Sequence, residues 1–171
     1  MMERELETAR LRLRPFVASD TDQLRRLWTD PDVRRYLWDD LEISRDRAEA
    51  VIAQSTESFR SRGFGFWSLF FKDSDNSLIG FCGLRVFGNT EEVEILYGIH
   101  PSHWGKSLAT EASEAVLNFA FQICRLPKIY AGADSPNSMS FRVIEKLGMT
   151  YDSLQIVNGL EAVYYSLSNS S

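Results

Sequence analysis

One change of hydrophobic period constrains this chain more than any other feature. Val93 to His100 alternates as a strand does, Pro101 interrupts, and from Leu108 the apolar residues Leu108, Ala112, Val116, Phe119, Ala120 and Ile123 recur along one face of a helix. Lys128 to Ala133 then reads as a short buried strand. Strand, helix, strand in that order is a βαβ unit, whose strands run parallel in one sheet and are joined by a right-handed crossover. The chain must therefore fold around a sheet with at least one parallel pair and a helix lying on its face.

The flanks supply the rest of the sheet. Arg10 to Phe16 (RLRLRPF) alternates apolar and basic residues, as a half-buried strand should. Ser19-Asp20 is a helix N-cap ahead of Leu24, Leu27 and Trp28, and Thr29-Asp30-Pro31 ends that helix. A second helix follows Ser44, carries Ala48, Val51, Ile52 and Phe59 on one side and stops near Gly63. Phe64–Lys72 and Leu78–Phe87 read as strands, separated by the turn Asp73-Ser74-Asp75-Asn76, and Gly88-Asn89-Thr90 is the next turn. Beyond the βαβ unit, Ser135-Pro136 opens a helix with Met139, Val143, Ile144 and Leu147 on its apolar side, and Gly148 closes it. Tyr151–Val157 and Ala162–Leu167 flank Asn158-Gly159, a type I′ hairpin signal. The expected fold is a mixed α+β arrangement of about seven strands with helices on both faces.

Composition narrows the function. A chain of 171 residues fits one domain, spanning 1–171, and 44% apolar with 25% charged residues is ordinary for a globular protein. A net charge of −5 argues against nucleic acid as a partner, because that role needs cations to neutralise phosphates. No run approaches the roughly 18 apolar residues of a membrane span, and the start MMERELETARLRLR lacks the apolar core of a signal peptide. Cys82 and Cys124 match no metal-ligand spacing and read as small hydrophobes of a reducing, cytoplasmic compartment. His100 and His103 are too few for a metal site and read as surface positions, while Phe66, Trp67 and Phe70 read as core.

The chemistry concentrates in the turn between strand and helix, Ile99 to Thr110. The first turn of a helix offers unpaired N–H groups and a positive dipole end, a natural anion site. Gly105, Ser107 and Ala109 are small enough for a phosphate to reach the backbone, and Lys106 adds charge. Gly105-Lys106-Ser107 matches the end of a nucleotide-binding P-loop, but that motif needs a glycine where His100 stands, and Pro101 stiffens a loop that would have to wrap the phosphates.

The segment His103-Trp104-Gly105-Lys106-Ser107-Leu108-Ala109-Thr110-Glu111-Ala112 instead resembles the diphosphate-binding loop of the GNAT superfamily of acyl-CoA N-acyltransferases. It is most similar to the branch containing the ribosomal-protein N-terminal acetyltransferases, where the loop commonly reads Y-W-G-K-G-Y-A-T-E-A. The similarity runs in order along the chain: Thr8 to Phe16, Asp30-Pro31-Asp32-Val33 with Tyr36-Leu37, Ile79 to Leu84, then Asn137-x-x-Ser140 with Glu145 to Met149. Ser107 stands where the family loop has glycine, and Trp104 where many members have Arg or Gln. Serine is acceptable in a helical first turn, where its hydroxyl can donate to a phosphate. Ile144 stands where many members carry the tyrosine that protonates the departing thiolate.

The resemblance implies a GNAT fold with the βαβ unit at the coenzyme A site, acetyl-CoA as cosubstrate, no metal, and an amine acceptor, either a peptide N-terminus or a small amine. It implies cofactor contacts at Tyr97, Gly98, Ile99, Trp104, Gly105, Lys106, Ser107, Leu108, Ala109 and Thr110, with Asn137 bonding the pantetheine amides. The strand before the loop is expected to splay from its parallel neighbour, with Gly98 at a bulged position where a side chain would obstruct the ligand. Glu94 is the implied base, acting through water, with Glu92 as the alternative; Ser140 is the implied acid, and Trp38 an implied wall of the acceptor site. The short final hairpin leaves the acceptor cleft open on one side, which favours a peptide or bulky amine. Monomer and homodimer both fit, and a non-catalytic CoA-binding module of the same fold is the alternative reading.

Overall fold

The computed structural model describes residues 4–37, 41–74, 77–86, 90–134, 138–157 and 159–170. Its strands are β1 (Leu6–Glu7), β2 (Leu11–Pro15), β3 (Phe66–Phe71), β4 (Gly80–Val86), β5 (Val93–Ile99), β6 (Lys128–Asp134), β7 (Thr150–Val157) and β8 (Leu160–Ser168). Its helices are α1 (Thr21–Thr29), α2 (Pro31–Leu37), α3 (Arg45–Arg62), α4 (Leu108–Gln122) and α5 (Ser138–Lys146). The strands form one eight-stranded sheet in the order β1-β2-β3-β4-β5-β6-β8-β7. Every neighbouring pair is antiparallel except β5 and β6, the two strands of the βαβ unit.

Local rules account for the elements. In β2, Leu11 and Leu13 are wholly buried while Arg12 and Arg14 point the other way. The Ser44 hydroxyl accepts from the Arg47 amide at the start of α3, and Gly63 ends that helix with φ 88°, a left-handed turn that favours glycine. Two elements escape the sequence reading. Pro31 does end α1, but it also opens α2, because proline suits a first helical position where no N–H bond is lost. The two-residue β1 is too short to show a period.

Hydrophobic clusters cover both faces of the sheet. On one, α4 and α5 bring Leu108, Ala112, Val116 and Ile144 onto Leu84, Ile95 and Ile129. On the other, α1 and α3 bring Leu24, Trp28 and Ile52 onto Phe16 and Phe81. Trp67 and Phe70 are core as expected, whereas Phe66 is only half-buried at the edge of the second cluster. Asp20 is buried and accepts from the Arg14 guanidinium at 2.9 Å, the Ser68 hydroxyl at 3.0 Å and the Val17 amide at 3.0 Å, so every lone pair it turns inward has a donor. Among the described residues no helix is long and apolar enough to cross a membrane.

Candidate active site

The site lies where the sheet changes character. β4 pairs with β5 along its whole length, and β6 with β8 likewise, but β5 and β6 pair only at Val93↔Ile129 and Glu94↔Tyr130. Beyond that the two parallel strands part, opening a wedge at their C-terminal ends, the position at which open α/β sheets take ligands. Alternate β5 residues bond to β4, and the His100 amide continues that series onto the Ile79 carbonyl at 2.8 Å. The backbone of Tyr97 therefore faces the wedge, away from β4.

Above the wedge the loop from His100 to Ser107 turns the chain into α4. Pro101–His103 is one turn of 3-10 helix, stopped at its start by the His100 ring, which accepts from the Ser102 amide. The Trp104 indole N–H donates to the Ile99 carbonyl at 2.7 Å and ties the loop to the end of β5. Gly105 takes φ 79° and Ser107 φ 60°, ψ 24°, both left-handed. Among the described residues nothing accepts from the amides of Gly105 to Thr110, while Glu111 N–H already bonds back to Ser107. Successive unpaired amides at the start of a 15-residue helix make a concave anion site of the kind a diphosphate fits.

Ser107 departs from expectation. It is the N-cap of α4 in the left-handed region, not a residue of the helical first turn, and its hydroxyl caps nothing; instead it accepts from Lys146 at 3.4 Å. The geometry explains the family's glycine here, because a Cβ in this conformation crowds the carbonyl. Gly98 also needs a different account. The β4–β5 register runs unbroken through it, so it occupies no bulge; a Cβ there would come within 2.7 Å of the Phe81 ring on the neighbouring strand.

A cleft of about 500 Å³ joins the wedge and the loop. Tyr97, Gly98, Trp104, Gly105, Ser107 and Ala109 are among its lining residues, with Ile99, Leu108 and Thr110 beside them. Lys106 and Glu94 lie off this lining. Ser140, Arg142 and Lys146 of α5 also line it, as do Asp32, Arg35 and Leu37 of α2. Trp38 and Asn137 lie outside the described residues, as do Ser135-Pro136, Asn158 and parts of the predicted turns at 75–76 and 88–89.

The Tyr97 hydroxyl and the Ser140 hydroxyl are 2.7 Å apart, and the phenol is also 3.2 Å from the Ser140 carbonyl. Burial pushes the phenol up to about 12, with Ser140 drawing it down and Cys82 nearby adding to the rise, so Tyr97 stays a neutral donor at working pH. Glu94 is buried on the opposite face of β5 from Tyr97, and its carboxylate accepts from Arg85 Nε at 3.0 Å. Burial raises its pKa above the ordinary carboxylate range and Arg85 only partly offsets this. Glu92 lies outside β5 and is exposed, with its amide on the Thr90 hydroxyl, so it does not share an alternating strand face with Glu94. His100 is exposed, but His103 is not the surface residue expected: it lines the cleft, stacks edge-on against Phe71, and burial holds its pKa below the usual histidine value. Ile144 is wholly buried and is not among the residues that line the cleft.

Sequence reasoning missed the basic pair Arg142 and Lys146, although their four-residue spacing on a short helix was a legible signal of one face. It also missed the Tyr97–Ser140 bond, which spans elements far apart in sequence.

The comparisons agree with this architecture. The sequence profile of the acetyltransferase (GNAT) domain matches residues 10–150, and the chain belongs to that family. It is 33% identical over 154 residues to the YkkB protein of Bacillus subtilis, covering 86% of each chain. It is 29% identical over 154 residues to the N-acetyltransferase p20 of Bacillus licheniformis, covering 87% of this chain and 84% of that one. In fold it is similar to a GNAT-family acetyltransferase from Bordetella pertussis, with a TM-score of 0.83 at 21% identity over 96% of this chain and 99% of the other. It is also similar in fold to RimL, a ribosomal L7/L12 α-N-protein acetyltransferase solved in complex with coenzyme A, with a TM-score of 0.80 at 15% identity over 96% and 97% of the chains.

Proposed function

We propose that this protein binds acetyl-CoA in the wedge between β5 and β6 and transfers its acetyl group to a primary amine by direct attack in a ternary complex. The observation that carries this reading is the run of unpaired amides from Gly105 to Thr110 at the mouth of a wedge whose backbone edge is open. The amides suit the diphosphate, and the free edge of β5 at Tyr97 suits the amides of the pantetheine arm.

The chemistry then divides among nearby groups. An amine with a pKa of roughly 8 to 10 must lose its proton before it can attack. The nitrogen forms a bond to the thioester carbonyl carbon, the carbon–sulfur bond breaks, the amine proton leaves to a base, and the thiolate gains one. Glu94 is the proposed base; it lies off the cleft lining, so it acts through water, and its raised pKa suits that task. Ser140 is the proposed acid, with Tyr97 bonded behind it. The acceptor approaches past α2. The acceptor class that this reading takes is a peptide N-terminus or a small amine.

The test is release of free thiol from acetyl-CoA against a panel of peptides, polyamines and aminoglycosides, with calorimetric titration of coenzyme A and ATP alongside. Turnover with any amine supports the reading. Binding of ATP in place of coenzyme A would refute it. Buried, apolar Ile144 favours the second reading, a non-catalytic CoA-binding module, which predicts coenzyme A binding with no thiol release from any acceptor.

A further inference from the structure

The turn between β1 and β2 is docked onto the start of α4. Arg10 Nε donates to Glu111 Oε1 at 2.8 Å, the Arg10 amide donates to Glu111 Oε2 at 2.9 Å, and the Thr8 hydroxyl donates to the same oxygen. The other arm of the guanidinium reaches past the helix: Arg10 Nη2 donates to the Lys106 carbonyl at 2.9 Å while lying 2.7 Å from Glu111 Oε1. Thr8 is fixed in turn, accepting from the Leu11 amide at 2.9 Å. Burial pushes the Glu111 carboxyl up, but the bonds from Thr8 and Arg10 outweigh it and hold it below the ordinary carboxylate range.

A trans peptide points its C=O and N–H in opposite directions. Holding the Lys106 carbonyl toward Arg10 therefore turns the Ser107 amide the other way, to the side of the cleft that Gly105 and Ser107 line. Lys106 lies between two left-handed residues, Gly105 and Ser107, the second a serine in a conformation that serine disfavours.

We propose that Arg10, braced by Glu111 and Thr8, is a positioning residue for acetyl-CoA: it sets the orientation of the Lys106–Ser107 peptide and so completes the anion site from outside the cleft. Arg10 is not among the residues that line the cleft. This inference rests on the proposed coenzyme A site.

The experiment measures Kd for coenzyme A by calorimetry, KM for acetyl-CoA and for the acceptor, and Tm, on full-length protein. Arg10→Ala is expected to raise Kd and the acetyl-CoA KM about tenfold, the scale of one charged hydrogen bond, with the acceptor KM little changed. Arg10→Lys keeps the charge beside Glu111, but its side chain is one bond shorter than the arm that ends in Nη2, so it should keep the wild-type Tm, lose the bond to the Lys106 carbonyl and lie between the two in affinity. Arg10→Ala/Glu111→Gln should stay weak, because the carbonyl remains unheld. Full affinity in Arg10→Lys or in the double variant would overturn the proposal, since charge alone would then explain the effect. Equal rises in both KM values with a lowered Tm would overturn it in favour of a purely structural role. If the wild type fails to bind coenzyme A, the site reading falls with it; if it binds and Arg10→Ala binds equally well, only the positioning role falls.

Discussion

Ser107→Gly should stabilise this protein, although it removes a side chain from a helix N-cap. Serine at φ 60°, ψ 24° places Cβ against its own carbonyl, at a cost of roughly 1–2 kcal/mol. Of three terms that would oppose the gain, only the last is appreciable. The hydroxyl does not cap α4, so no cap bond is lost. Its contact with Lys146, at 3.4 Å and exposed, is at the limit of a hydrogen bond and contributes little. The added freedom of glycine in the unfolded chain takes back about 0.5–1 kcal/mol. The net is a gain of about 0.5–1 kcal/mol, which for a chain of this length raises Tm by roughly 1–4 °C. Urea denaturation and calorimetry on the wild type, Ser107→Gly and Ser107→Ala would measure it. Alanine keeps Cβ, so it should show no gain. Because the loop already holds its left-handed shape, the benefit should appear in stability, with Kd for coenzyme A little changed. A Ser107→Gly protein no more stable than Ser107→Ala would refute the strain argument.

Further outcomes follow from the same geometry. Glu94→Gln should lower kcat by about 100-fold or more, the usual contribution of a general base. The wild-type rate should fall as pH drops through the raised Glu94 pKa, above the ordinary carboxylate range, whereas Glu92→Gln should leave the pH–rate profile unchanged. Gly98→Ala drives a methyl to within 2.7 Å of the buried Phe81 ring and should destabilise by about 1–3 kcal/mol in urea unfolding. Ile144→Tyr, which writes in the family's missing phenol, should not restore an acid: that side chain is wholly buried, and overpacking of about 1–3 kcal/mol should appear as a lower Tm with no gain in kcat. Asp20→Ala leaves the buried Ser68 hydroxyl and the Val17 amide without their acceptor, while Arg14 is partly exposed and keeps the Pro15 carbonyl, so it should cost about 1–3 kcal/mol, read by the same denaturation.

What could be read from the residues, and what could not, divides along a physical line. The βαβ unit, the parallel pair and the turn that leaves its amides unpaired were legible because backbone punctuation sets them. Pro101 stops a strand, Gly105 supplies a left-handed turn, and a helical period starts at Leu108; each acts within a few residues of itself. Pro31 shows the limit of such signals, since one residue ends α1 and opens α2, and the sequence reading took only the first meaning. Gly98 shows another: its lack of a side chain was attributed to the ligand, when the ring of Phe81 across the β4–β5 ladder already requires it.

The parts that stayed hidden are those made by side chains meeting across the fold. Arg10 and Glu111 are a hundred residues apart in the chain and neither is unusual alone; only the docking of the β1–β2 turn on α4 makes them a pair. Tyr97 and Ser140 meet because β5 and α5 border the same wedge, and no period within either element predicts it. A run of unpaired amides can thus be read from local sequence, whereas the bonds that hold those amides in place arise from topology. The same distinction explains why the serine in this loop is tolerable. A strained N-cap persists when its surroundings determine its shape, and here Arg10 on the Lys106 carbonyl, Trp104 on the Ile99 carbonyl and the Glu111 amide on Ser107 fix the loop from three sides. Strain at Ser107 and the hold from Arg10 are therefore coupled: Ser107→Gly should soften the effect of Arg10→Ala on coenzyme A affinity, because a loop relieved of strain needs less support to keep its shape.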